Sequence, residues 1–199
     1  GAHRDLHSFP TRRSSDLEAE LERQGMASSS LSDGQYRVFI GVARDKEQAD
    51  ALKQSLQAQN IETFVKPLQL PAVSQIRFDG DAELAETFLV QADQLIKMIG
   101  ALTMVHLGSD NNSPFESSSM QSLQELYQTL TRSLAAAMEG VPEQARETMQ
   151  EIERSFAQAV VSLEEYNKKP AKAHLWQAQA SIMDGMFAEQ RLLQQLSAR

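Results

Sequence analysis

Apolar positions recur with two different periods along this chain. In residues 18–66, short apolar runs alternate with turn signals. Residues 18–24 (EAELERQ) are rich in helix formers, and Gly25 follows as a stop. Residues 26–31 (MASSSL) form a short edge-strand candidate, and Asp33-Gly34 sits at a hairpin position. Residues 36–42 (YRVFIGV) make the strongest strand in the chain, β-branched and aromatic, with Gly41 close to its end. Asp45 is placed to cap a helix, with Gln48 at its third residue. Ala49, Leu52 and Leu56 then recur at helical spacing, and Asn60 can end that helix. Residues 61–66 (IETFVK) read as another strand, stopped by Pro67.

Beyond Gly80 the period becomes purely helical. Pro67, Pro71 and Asp79-Gly80 mark the intervening residues as a linker. The first of four predicted helices covers about 81–107, with Leu84, Phe88, Leu95, Ile99 and Leu102 on one face. The second covers about 119–139, with Leu123, Tyr127, Leu130, Leu134 and Ala137 inward. Gly140 ends it, and Pro142 opens the third at a favoured first-turn position. That helix runs to about residue 166. Its stripe of Ala145, Met149, Ile152, Phe156, Ala159, Leu163 and Tyr166 alternates steps of four and three, a heptad-like pattern. Asn167-Lys168-Lys169-Pro170 is a stop, with basic residues at the negative end of the helix dipole. The fourth helix, about 171–197, carries Leu175, Ala178, Ile182, Met186, Leu193 and Leu196. Each stripe needs partners, and an antiparallel bundle of three or four helices supplies them.

Composition narrows the chemistry. The 199 residues are 41% hydrophobic and 23% charged, a globular balance. The longest uncharged apolar stretch is too short to cross a bilayer, and no secretory signal pattern opens the chain. With no cysteine, thiol nucleophiles, disulfides and cysteine metal sites are excluded. A net charge of −8 argues against non-specific nucleic-acid binding. Residues 7–17 (HSFPTRRSSDL) have no apolar period and resemble one reading frame of a short-read sequencing adapter. Residues 1–17 are therefore expected to be a foreign scar. Removing Arg4, Arg12, Arg13, Asp5 and Asp16 leaves 16 basic and 25 acidic residues, a net of −9, so the acidity lies in the rest of the chain.

Residues 33–67 resemble the second half of a SPOR (sporulation-related repeat) domain. The resemblance rests on Tyr36-Arg37-Val38-Phe39-Ile40-Gly41, then Glu47-Gln48-Ala49-Asp50-Ala51-Leu52, then Gln59-Asn60-Ile61-Glu62-Thr63-Phe64-Val65. It implies an α+β fold: a truncated ferredoxin-like (βαββαβ) SPOR domain over 18–67 that lacks its first strand, a linker over 68–80, and a helical bundle over 81–199. A SPOR segment followed by a Gln-rich helical region is also similar to the stage II sporulation protein B-like proteins of endospore formers.

The resemblance further implies a function. SPOR domains bind peptidoglycan and prefer glycan strands stripped of stem peptides, which accumulate at division septa. The expected role is non-enzymatic wall binding and septal localisation in cell division or sporulation. It places the chain outside the cytoplasm, with any membrane anchor upstream and a protein partner for the helical region. Val38 and Ile40 would pack on the helices, leaving Arg37 and Phe39 on the open sheet face. There an aromatic ring can stack on a sugar and a guanidinium can donate to hydroxyl and acetamido oxygens. Ser28 and Ser30 would add hydroxyls from the neighbouring strand. The alternative reading is a ligand-sensing regulatory protein with a ferredoxin-like domain and a dimerising bundle.

The remaining chemistry-bearing residues read as structural. Neither His106 nor His174 has Glu three residues earlier, so the Glu-x-x-His pattern of di-iron bundles is missing. No Gly-x-Ser-x-Gly motif and no phosphate-cradling glycine loop occurs. No catalytic residue, metal site or cofactor is expected. Trp176, Phe187 and the methionines are assigned to packing.

Overall fold

The computed structural model describes residues 14–26, 28–32, 36–43, 45–65, 78, 80–108 and 112–197. Helix α1 (Ser14–Arg23) comes first and is closed by a left-handed turn at Gly25, where φ is +70°. There Met26 N donates to Leu21 O and Gly25 N to Glu22 O, both at 2.9 Å, so two terminal carbonyls are satisfied. Helix α1 starts before Glu18, inside the stretch expected to be foreign. Residues 1–13 lie outside the described residues.

Strands β1 (Ser29–Ser32) and β2 (Tyr36–Phe39) form an antiparallel pair, with Ser29 opposite Phe39, Ser30 opposite Val38 and Leu31 opposite Arg37. Helix α2 (Lys46–Gln57) then begins on Asp45, whose side chain accepts from Gln48 N at 2.9 Å. It ends like α1, with Asn60 at φ +60° and Ile61 N donating to Leu56 O at 3.0 Å.

The sheet differs from expectation. Residues 61–65 have no regular structure, and Phe64 is 72% exposed, so the predicted strand there is not formed; Lys66 lies outside the described residues. Strand β2 stops at Phe39 rather than Val42. Among the described residues the sheet has two strands, in the order α1–β1–β2–α2, and the closing strand expected of the truncated βαββαβ domain is not formed there. The physical reason lies at residue 42: its backbone groups bond to a side chain of the last helix instead of a third strand.

Four long helices follow: α3 (Ala82–Leu107), α4 (Ser117–Met138), α5 (Glu143–Lys168) and α6 (Lys172–Leu196). Helix α3 packs on α4 and α6, and α5 packs on α4 and α6, so the ring of four closes as a bundle. All seven residues of the α5 stripe are buried, Tyr166 among them. On α3 the buried face runs through Ala85, Phe88, Ala92, Leu95 and Ile99; Leu84, expected inside, is 37% exposed because Ala85 takes the inward position. Helix α3 is long and apolar enough by composition to cross a membrane. Its apolar side is nevertheless filled by bundle residues, and Lys97 donates to Asp93 at 2.6 Å on its outer side. The predicted linker falls almost wholly outside the described residues.

Helix α6 is buried on nearly all sides, unlike a two-faced surface helix. It lies against α3 and α5, and β1 packs on its remaining side. Close approach to α5 is possible at Gly185: a Cβ there would stand 2.7 Å from the Phe156 ring. The SPOR-like segment and the bundle also share one core, with Leu56 in it and Phe39, Ile40, Val42 and Leu52 packed against it.

Candidate functional site at the sheet and helix α6

The hairpin places its chemistry by register. Phe39 and Ser29 are cross-strand partners, and both meet α6. The Phe39 ring lies 5.1 Å from the Phe187 ring at an interplanar angle of 58°. Ser29, 9% exposed, donates from Oγ to Asp184 Oδ1 at 2.6 Å. Asp184 and Phe187 are three residues apart and so share a helix face. Partial burial pushes the Asp184 carboxyl up, and the Ser29 hydroxyl holds it back.

The next contact along this junction is polar and buried. Gln179, fully buried, accepts from Val42 N through Oε1 at 2.7 Å. Its Nε2 donates to Val42 O at 3.2 Å and to Thr103 Oγ1 at 2.5 Å, while the Thr103 hydroxyl donates to Ile99 O at 2.7 Å. Only this amide orientation satisfies both Val42 groups. Gly41 permits the approach, since a Cβ there would meet Gln179 Oε1 and Leu52 Cδ2 at 3.2 Å.

The four residues expected to grip glycan are not brought together as one described surface. Phe39 is half-buried against α6, where an open sheet face was expected. Ser30 pairs with Val38, and Arg37 with Leu31; the side chains of Ser30 and Arg37 lie outside the described residues. Ser28 is half-buried just before β1. The register therefore alternates Phe39 with Ser30, so the two do not share a pleat face.

Residues 12–67 match the SPOR domain. The matched stretch coincides with the α1–β1–β2–α2 unit and, like α1, begins before Glu18. No curated protein and no solved structure matches the chain significantly.

Elsewhere the burial of Glu189 escaped sequence reasoning, whereas that of Tyr166 follows from the α5 stripe. Glu189, on α6, is 1% exposed, and its Oε1 has no hydrogen-bond partner. Burial, with repulsion from Asp93 adding, pushes its carboxyl up to about 7. Tyr166 is buried with its hydroxyl unpartnered, and burial pushes that hydroxyl up. Its ring lies 4.9 Å from Phe115 and 5.6 Å from His106, so His106 serves aromatic packing at the end of α3. An open groove lined by Gln48, Leu52, Ser55, Met104 and Val105 lies between α2 and α3.

Proposed function

We propose that the SPOR segment binds peptidoglycan, denuded glycan strands in particular, and directs the chain to the septum in cell division or sporulation. The bundle α3–α6 then acts as a protein-interaction body, and the chain works at the cell envelope without catalysing a reaction. One observation carries this reading: the SPOR match over 12–67 falls on the α1–β1–β2–α2 segment rather than on the helices of the bundle. The residue types of β2 support it: a phenylalanine ring can stack on a sugar face, and an arginine carries a planar set of donors. The family's βαββαβ sheet is the form in which we expect glycan to be held.

The test is sedimentation of the chain with purified peptidoglycan, comparing intact wall with wall whose stem peptides have been removed by amidase. Greater retention on the treated wall supports the reading, with Arg37→Ala reducing it. Equal retention on both walls overturns it.

A further inference from the structure

We propose that helix α6 is an autoinhibitory cover on the SPOR hairpin, occupying the surface that glycan would take; the inference rests on the glycan reading above. Three contacts along α6 carry it. Phe187 lies against Phe39, Asp184 takes the hydroxyl of Ser29, and Gln179 holds both backbone groups of Val42. Asp184 and Phe187 share one face of α6 and meet the Ser29–Phe39 pair, while Gln179, more than one turn nearer the start of the helix, meets Val42. The covered aromatic is the residue that would stack on a sugar. A ring face 5.1 Å from Phe187 has no room for a pyranose on that side, so the two contacts exclude one another.

The contact between hairpin and α6 is not sealed. Phe39 stays half-buried rather than sealed, and Asp184 keeps an exposed edge although Ser29 beneath it is buried. Glycan binding is then a competition. The apparent affinity is the intrinsic affinity scaled by the fraction of molecules in which the hairpin has come away from α6.

Two variants of the full chain test this without touching the glycan-facing residues. Asp184→Ala removes the acceptor for Ser29, and its position on the outer side of α6 leaves the bundle core intact. Phe187→Ala removes the ring that covers Phe39. Retention on amidase-treated peptidoglycan should rise at least threefold in Asp184→Ala and further in the double variant. The opposite arm uses the cysteine-free background: Ser29→Cys with Asp184→Cys, joined by a short bis-maleimide, should lose retention that the unlinked form keeps. If wild type is retained while release and linkage leave retention unchanged, the cover is refuted and the glycan reading stands. If wild type, released and unlinked forms all fail to be retained, the glycan reading falls and the cover falls with it.

Discussion

Gln179 pairs with both backbone groups of Val42, accepting at 2.7 Å and donating at 3.2 Å. One side-chain amide thus does for residue 42 what a neighbouring strand does elsewhere in a sheet. An amide has one acceptor and two donor protons, and the second proton goes to Thr103. The junction between hairpin and bundle is therefore a saturated polar contact inside an apolar core. Its free energy lies less in the bonds formed than in the cost of leaving them unmade.

That asymmetry gives the first prediction. Gln179→Leu keeps the volume and strands the N–H and C=O of Val42. Each buried unpaired group costs on the order of 1–3 kcal/mol, so urea denaturation should show a loss of roughly 2–4 kcal/mol. A midpoint equal to wild type would mean that Val42 finds other partners.

Gly185 sets the spacing of α5 and α6. Gly185→Ala would place a methyl 2.7 Å from the buried Phe156 ring, and overpacking of this kind typically costs about 1–3 kcal/mol. Adding Phe156→Leu should recover part of the loss, a coupling that a double-mutant cycle reads directly. Additive losses would show that the ring is not what resists the methyl.

The end of α2 makes a local prediction. Asn60 holds φ +60°, a region that alanine enters at a cost of roughly 1–2 kcal/mol. Asn60→Ala should lower the melting temperature and speed amide exchange at Ile61, while Asn60→Gly should not destabilise. Equal behaviour of the two variants would remove the backbone argument.

The helices were legible because their signals are local and repeated. Asp45 caps α2, Asn60 ends it, and the α5 stripe was read residue by residue from its spacing. The sheet was not legible at 61–65, because a β-rich run becomes a strand only if a neighbour takes its hydrogen bonds. The orientation of Phe39 was missed for a related reason. Alternation separates two faces of a strand, but what covers each face is a tertiary fact supplied here by residues 145 and more positions away. Gln179 and Glu189 were hidden because a polar residue in an amphipathic helix is ordinarily turned outward. The one clue was that Trp176, Met183, Phe187 and Leu192 widen the apolar surface of α6 beyond a single stripe.

Glu189 makes stability depend on pH in a direction opposite to most paired carboxylates. Its folded-state pKa of about 7 stands above the ordinary value of 4.5, so between those values the folded protein binds more protons than the unfolded one. Stability is then greatest below about pH 4.5 as far as this group is concerned, and it falls as pH rises towards 7. At 1.36 kcal/mol per pKa unit the full loss is about 3 kcal/mol. Glu165, whose carboxyl is lowered by Lys168, acts in the other sense but titrates below this window. Asp184 shifts in the same direction as Glu189, so the variant is needed to separate them. Glu189→Gln should be more stable than wild type at pH 8 by about 1–3 kcal/mol, and the gap should close by pH 5. Urea denaturation of both proteins at pH 5, 6.5 and 8 measures it. A gap independent of pH would mean that the Glu189 carboxylate is solvated and not held in the core.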